Sequence, residues 1–339
     1  MEDDVCVISD WSHYAHPRRT THAKGISVAV NSSSRRTCVC YIANEGYLFQ
    51  SLVSAIQARR MSPAHCDVIL FDLTAVRGAE SADIESVCIQ NNILYIWESP
   101  AFLGNLHIMN ARLFLDQMLA PDYSEILYLD GDTQVVGDLT PLLEFSPRDG
   151  HLCAVRDPMV YLNGIKRLPD GFEAEIRPFG EDYVNSGVFR VNRHSWADIS
   201  REALAQIGTA TSALHFEDQT IINRVTEGRR DYASIRWNFP GFILGYGLED
   251  IAQPSIVHFM SNPRPWQGSY APWGRSWHQP YADVARKFPE IRQYCDALVF
   301  RKKAAYKIKQ IAKSYVERKL WLSPAIVDHM KTLEGSSSI

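Results

Sequence analysis

Long apolar runs are missing from this sequence. The longest, Cys38–Ala43, falls far short of the roughly 20 residues that span a bilayer as a helix. Strong net charge is missing too: 35 Lys and Arg against 39 Asp and Glu leave −4, so no global basic field marks a nucleic-acid binder. No CxxC pair occurs among the seven cysteines, at 6, 38, 40, 66, 88, 153 and 295, which excludes a zinc ribbon or thioredoxin-type site. Cys38, Cys40, Cys66, Cys88 and Cys153 lie in apolar, strand-like runs and read as small buried hydrophobes in a reducing compartment. The acidic start Met1-Glu2-Asp3-Asp4 has no apolar stretch of signal-peptide type, so neither secretion nor a membrane anchor is expected. Internal repeats are absent, and low complexity is confined to short Ser tracts.

What is there is ordinary globular composition, 46% hydrophobic and 22% charged over 339 residues. Residues 1–36 are rich in His, Arg, Thr and Ser, without a period, and read as a poorly ordered or loosely packed arm. From Thr37 apolar strands alternate with helices. Strands are predicted at 38–43, 67–71, 93–97 and 126–129, with helices at 48–60, 82–90 and 108–119 between them. Continuous apolar strands in this alternation indicate a parallel sheet covered on both faces. Further on, strands are expected at 151–155, 183–191, 233–237 and 255–259, and helices at 195–207 and 218–227. Residues 37–285 read as one α/β domain, and 286–339 as a helical, basic C-terminal extension and tail.

Three stretches carry chemistry. Strand 126–129 runs directly into Asp130-Gly131-Asp132. Open α/β sheets bind ligands at the carboxyl ends of their strands, and two carboxylates placed there suit a hard divalent cation that keeps positions open for a diphosphate. An EF-hand starting at Asp130 fails, because its sixth and twelfth positions are Val135 and Pro141. A haloacid-dehalogenase-type phosphatase is weakened, since Gln134 stands where Thr or Val belongs. The second stretch, His258 to Trp266, offers an imidazole suited to manganese and an arginine, Arg264, able to meet phosphate oxygens. A satisfied loop histidine is the plainer alternative. The third comprises Asn185-Ser186-Gly187 and, further on, Asp218-Gln219, where helix capping by Asp218 is the plainer alternative.

Taken in order, seven stretches resemble the family 8 retaining glycosyltransferases, such as glycogenin and the lipooligosaccharide galactosyltransferases. They are Ala43–Tyr47, Ala111–Leu113, Tyr128–Asp132, Val136–Leu139, Val184–Gly187, Asp218-Gln219 and His258–Trp266. The resemblance implies a GT-A fold, that is, a Rossmann-like nucleotide-sugar-binding domain with a mostly parallel sheet. It implies a nucleotide-sugar donor, usually a uridine diphosphate sugar, and Mn²⁺ or Mg²⁺ held by Asp130, Asp132 and His258. Asn44, Tyr47, Arg112, Asn185, Ser186 and Arg264 are then donor-binding, and Asp218 and Gln219 catalytic. Three positions depart from the family pattern: Asn44, often acidic in relatives, Gly46, often Asn, and Ser261, usually Gly. A phosphatase and a catalytically silent sugar-binding protein on the same fold remain as alternatives.

The acceptor is expected to be a saccharide or lipid-linked saccharide of the bacterial cell surface. The aromatic segment with Trp237, Phe239, Trp266, Trp273 and Trp277 reads either as sugar-stacking faces or as core. From Phe300 to Leu320 eight Lys or Arg face a single acid, Glu317. Ile308, Ile311, Ala312, Tyr315, Val316 and Leu320 recur there at helical spacing, with Trp321 and Leu322 after them. This is the pattern of a helix lying on an anionic membrane surface through residues 300–322. The expected place is therefore the cytoplasm, peripherally attached to the inner face of the membrane, with no nucleic-acid partner.

Overall fold

The computed structural model describes residues 36–162, 172–207, 217–295 and 300–339. The arm at 1–36 lies outside them, apart from Arg36. Arg35–Ile339 form one compact unit. Ten strands are present among the described residues: β1 Arg36–Ala43, β2 Asp67–Asp72, β3 Leu94–Trp97, β4 Tyr123–Leu129, β5 Thr133–Val135, β6 Leu152–Arg156, β7 Val184–Asn192, β8 Arg230–Ala233, β9 Phe239–Pro240 and β10 Ile256–His258. The longer helices are α1 Leu48–Met61, α2 Ala79–Gln90, α3 Arg193–Ile207, α4 Glu217–Val225, α5 Gly274–Lys287, α6 Phe300–Trp321 and α7 Pro324–Glu334.

Seven strands make the main sheet, in the order β3-β2-β1-β4-β7-β6-β8. All neighbours pair parallel except at β7, which runs antiparallel to β4 and β6. β6 therefore points the same way as β4, and their carboxyl ends share one edge. Side chains alternate between two cores, as a period of two demands. Val39, Tyr41, Leu127 and Leu129 join α1 and α2 on one face. Cys38, Cys40, Ile126 and Tyr128 join Trp196 and Ile222 of α3 and α4 on the other. Cys38, Cys40, Cys66, Cys88 and Cys153 are buried free thiols.

A second, three-stranded sheet, β5-β10-β9, pairs β10 antiparallel to β5 with His258 opposite Thr133. This pairing brings the histidine stretch to the aspartate stretch across more than a hundred residues of chain.

Two expected elements differ. The helix read over 108–119 is a 3₁₀ segment, Ile108–Phe114, followed by one α-turn, Leu115–Met118. His107 Nδ1 accepts from Met109 N, and the tight turn buries Asn110 to Leu113 together, Arg112 included. The strand read over 233–237 ends at Ala233. Ser234 Oγ then accepts from Arg236 N and starts a 3₁₀ turn, Ile235–Trp237, the competition with backbone pairing that Ser side chains offer. Trp237, Phe239, Trp266 and Trp273 are buried and Trp277 is packed against the same cluster, so these aromatics serve the core. Trp321 of α6 and Ile326, Met330 and Leu333 of α7 are buried in that cluster too. No helix among the described residues is long and apolar enough to cross a membrane.

Candidate active site

Asp130 follows the last residue of β4, and its N–H donates to Gly187 O of β7 at 2.7 Å. Gly131 carries no side chain for a plain reason. A Cβ there would lie 2.0 Å from Ser51 Oγ of α1. Asp132 and His258 are locked together by backbone as well as side chain, since Phe259 N donates to Asp132 O at 2.9 Å. His258 Nε2 stands 2.9 Å from Asp132 Oδ1 and 3.9 Å from Asp130 Oδ2. Its Nδ1 meets Asn238 Oδ1 at 3.0 Å, which turns Nε2 toward the two carboxylates. One ligand atom from each of the three residues can be chosen so that all lie within 4.8 Å of one another. Two carboxylate oxygens and an imidazole nitrogen so grouped are a donor set that could hold a divalent cation.

Two arginines balance these acids. Arg112 is buried, and its guanidinium bridges Asp130 Oδ1 at 3.1 Å and Asp218 Oδ2 at 3.3 Å. It also donates to Ser186 O at 2.9 Å, and Trp196 Nε1 holds its backbone by donating to Arg112 O at 3.0 Å. Arg264 Nη1 donates to Asp132 Oδ2 at 2.6 Å. The electrostatics follow from these partners. Burial pushes Asp132 up, but His258 and Arg264 outweigh it and hold the carboxyl below the usual range. Burial would pull His258 down, yet Asp132 and then Asp130 raise it. Asp130 is raised by burial despite Arg112.

Beside this cluster lies an amide network. Gln219 Oε1 accepts from Asn185 Nδ2 and from Ser186 N, both at 3.1 Å. Asn185 Oδ1 accepts from Gly187 N at 3.0 Å and Asn238 Nδ2 at 2.9 Å. Asp157 sits at the centre: its Oδ2 accepts from Asn185 Nδ2 and Gln219 Nε2, both at 3.2 Å, and its Oδ1 from Met159 N at 3.0 Å. Burial raises the Asp157 carboxyl.

A cavity of about 380 Å³ collects nine of the residues singled out in the sequence: Arg112, Asp130, Asp132, Asn185, Ser186, Asp218, Gln219, His258 and Arg264. Ser261 lines it as well. Asn44 and Tyr47 are not on its wall. They sit in the loop between β1 and α1, where the Tyr47 ring meets Trp266 edge-on at 6.0 Å, two residues beyond Arg264. Asp157 and Asn238 were not found by sequence reasoning. Asp157 had a usable signal: it directly follows β6, at the same sheet edge where Asp130 follows β4. Asn238, next to a buried Trp in a short turn, had none.

A family model, Glycosyl transferase family 8, matches residues 38–269. The chain belongs to this family. A lipopolysaccharide 1,2-glucosyltransferase of Escherichia coli (strain K12) is 31% identical over 172 residues, covering 47% of this chain and 48% of that protein. The lipopolysaccharide glucosyltransferase WaaO of the same strain is 24% identical over 208 residues, covering 57% and 56%. The chain thus spans about half the length of these curated relatives. Among solved structures, the galactosyltransferase LgtC in complex with donor and acceptor sugar analogs superposes with a TM-score of 0.60 at 20% identity, covering 76% of this chain and 99% of that one. This likeness establishes the GT-A-like α/β fold for the family 8 chain.

Proposed function

We propose that this family 8 protein is a metal-dependent retaining glycosyltransferase that moves a hexose from a uridine diphosphate sugar to a saccharide or lipid-linked saccharide. The observation that carries the reading is one cavity holding both the Asp130–Asp132–His258 cluster and the Arg112–Asp218–Gln219–Asn185 network. Bound at the three ligands, Mn²⁺ or Mg²⁺ would supply Lewis-acid stabilisation of charge on the departing diphosphate. Arg264, at the cavity wall beside Asp132, would turn its guanidinium to the same oxygens. Asn44 and Tyr47 hold the uridine end by position at the carboxyl end of β1. A neutral amide at 44 accepts from uracil N3–H more weakly than a carboxylate does.

Retention needs either a covalent sugar–enzyme intermediate or front-face attack guided by the leaving phosphate. Asp218 is held by Arg112, and Asp157 by three N–H donors, so neither carboxylate is a free nucleophile. Gln219 is a neutral amide. Front-face attack is therefore favoured, with Asp218, Gln219 and Asn185 orienting the transferring sugar. NMR of the product from an α-linked donor is expected to show an α-linkage; a β-linkage would refute retention.

In this reading helix α6 attaches the enzyme to an anionic bilayer at the cytoplasmic face of the membrane, and the exposure of its side chains supports it. Ile308 is 74% exposed and Tyr315 65%, with Ile311 and Val316 beside them, while Gln310 and Trp321 face inward. An uncovered apolar stripe flanked by exposed Lys307, Lys309, Arg318 and Lys319 matches a lipid surface in both character and charge. Each basic residue contributes on the order of 1 kcal/mol near an anionic leaflet, enough for reversible attachment. Cutting the chain at Phe300 would strip Trp321 and α7 from the core, so substitutions are the proper test. Full-length Ile308→Asp/Ile311→Asp is expected to lose co-sedimentation with phosphatidylglycerol vesicles. Binding equal to wild type would exclude this face, and a wild-type dimer broken by the same pair would make it a self-association surface.

A further inference from the structure

Lys313 and Glu317 belong to the same helix as the exposed apolar stripe, yet they line the cavity that holds Asp130 and Asp132. One turn apart on α6, they form an ion pair at 3.5 Å. Their placement is fixed from both sides. Gln310 Nε2 donates to Asn262 O at 3.2 Å, tying α6 to the chain between His258 and Arg264. Tyr246 OH donates to Glu317 Oε2 at 3.4 Å, and Phe242, another wall of the cavity, packs against Trp321 with ring centroids 5.7 Å apart.

We infer that Lys313 and Glu317 are the acceptor-binding residues of the cavity, and that they hold a neutral saccharide ring through two neighbouring hydroxyls, with Phe242 beside its apolar face. The inference rests on the transferase reading above and names its acceptor subsite. Of the cationic side chains on the cavity wall, Arg112 and Arg264 belong to the Asp130–Asp132–Asp218 cluster at the donor end. Lys313 stands outside that cluster, paired only with Glu317 of its own helix among the contacts described, and its side chain keeps 40% of its surface exposed. An ammonium carries three N–H donors and a carboxylate several acceptor sites, so the pair offers both halves of a diol contact. A hydroxyl can accept from Lys313 while its neighbour donates to Glu317. Glu317 cancels the charge of Lys313 toward an anion, which separates this site from a phosphate-binding one. An aromatic face beside a polar pair suits a ring that is apolar on one side and hydroxylated at its edge.

The test is the partition of sugar between transfer and water. The full-length enzyme is supplied with UDP-glucose or UDP-galactose and with lactose and methyl hexosides as acceptors. Sugar transferred per sugar hydrolysed is measured for wild type, Lys313→Met, Glu317→Gln and Lys313→Arg. Lys313→Met and Glu317→Gln are expected to lower that ratio about tenfold each through a higher acceptor KM, the worth of one hydrogen bond to a charged group. Lys313→Arg keeps the donor and is expected to recover most of it. An unchanged ratio would overturn the assignment, as would a variant whose transfer and hydrolysis fall in step, because a merely structural residue behaves that way. Wild-type transfer to none of these sugars, with hydrolysis intact, would overturn the neutral-ring assignment while leaving the transferase reading standing. Absence of hydrolysis as well would overturn both.

Discussion

Asp132→Ala is expected to cut sugar transfer by about a thousandfold or more, because Lewis-acid charge stabilisation is worth several kcal/mol and each 1.36 kcal/mol is tenfold in rate. Asp132 is one of the three residues of the candidate metal cluster and also the one on which His258 and Arg264 converge. His258 Nε2 lies 2.9 Å from its Oδ1, and Arg264 Nη1 lies 2.6 Å from its Oδ2. Removing the carboxylate frees both and returns His258 toward its ordinary pKa, since Asp132 is the main group raising it against burial. Arg264 lies on the wall of the open cavity, and His258 keeps Asp130 beside it, so neither is left without a neighbour or solvent. The chain should stay folded, its backbone bond from Phe259 N to Asp132 O untouched. Release of uridine diphosphate measures the first outcome and a thermal melt the second. Wild-type turnover in this variant would remove Asp132 from the site.

Gly187→Ala is expected to cost about a hundredfold in turnover, on the scale of a 1 Å misplacement in an active site. A Cβ at 187 would lie 2.3 Å from His258 Cε1 and 2.7 Å from Asp130 Oδ2, wedged between two residues of the candidate metal cluster. Neither can retreat easily. His258 is held by Asn238, and Asp130 by Arg112 and the Tyr128 hydroxyl, which donates to Asp130 Oδ1 at 2.7 Å. Overpacking a buried strand typically costs about 1–3 kcal/mol of stability. Steady-state kinetics alongside calorimetric Mn²⁺ titration separates the effects. Weaker Mn²⁺ binding with a folded protein is the expected pattern, and unaltered Mn²⁺ affinity would contradict it.

Both substitutions touch residues that the sequence already marked, and the reason is physical. Asp130 and Asp132 stand where a continuous apolar strand stops, and strand ends are where open sheets place their ligands. Asn185 and His258 lie on strands whose apolar texture located them within a few residues, whereas Arg112 was marked only by the family resemblance. Legibility stopped where local pattern stops carrying information. The antiparallel sense of β7 leaves no trace in its own residues, since Val188–Val191 would read alike in either direction. The 3₁₀ turns at Ile108–Phe114 and Ile235–Trp237 follow from side-chain bonds of His107 and Ser234 that override the apolar spacing. On α6 the spacing of Ile308, Ile311 and Tyr315 read as a helix with an apolar stripe turned to a surface, but nothing in the spacing told that Trp321, read with that stripe, packs into the core. The apolar stripe is exposed, and the polar Gln310, Lys313 and Glu317 face the protein and its cavity. Asp157 was legible in principle, because the rule that found Asp130 applies unchanged at the end of β6.

The central claim is that Asp130, Asp132 and His258 make this cavity a metal-dependent nucleotide-sugar site. Incubation of the purified chain with a panel of nucleotide sugars, with Mn²⁺ and then with excess chelator, tests it most directly. Nucleoside diphosphate release from a uridine diphosphate hexose with Mn²⁺, abolished by chelator and restored by adding the metal back, is the predicted result. Full release in excess chelator would contradict the metal assignment, and release from no nucleotide sugar under either condition would contradict the transferase itself.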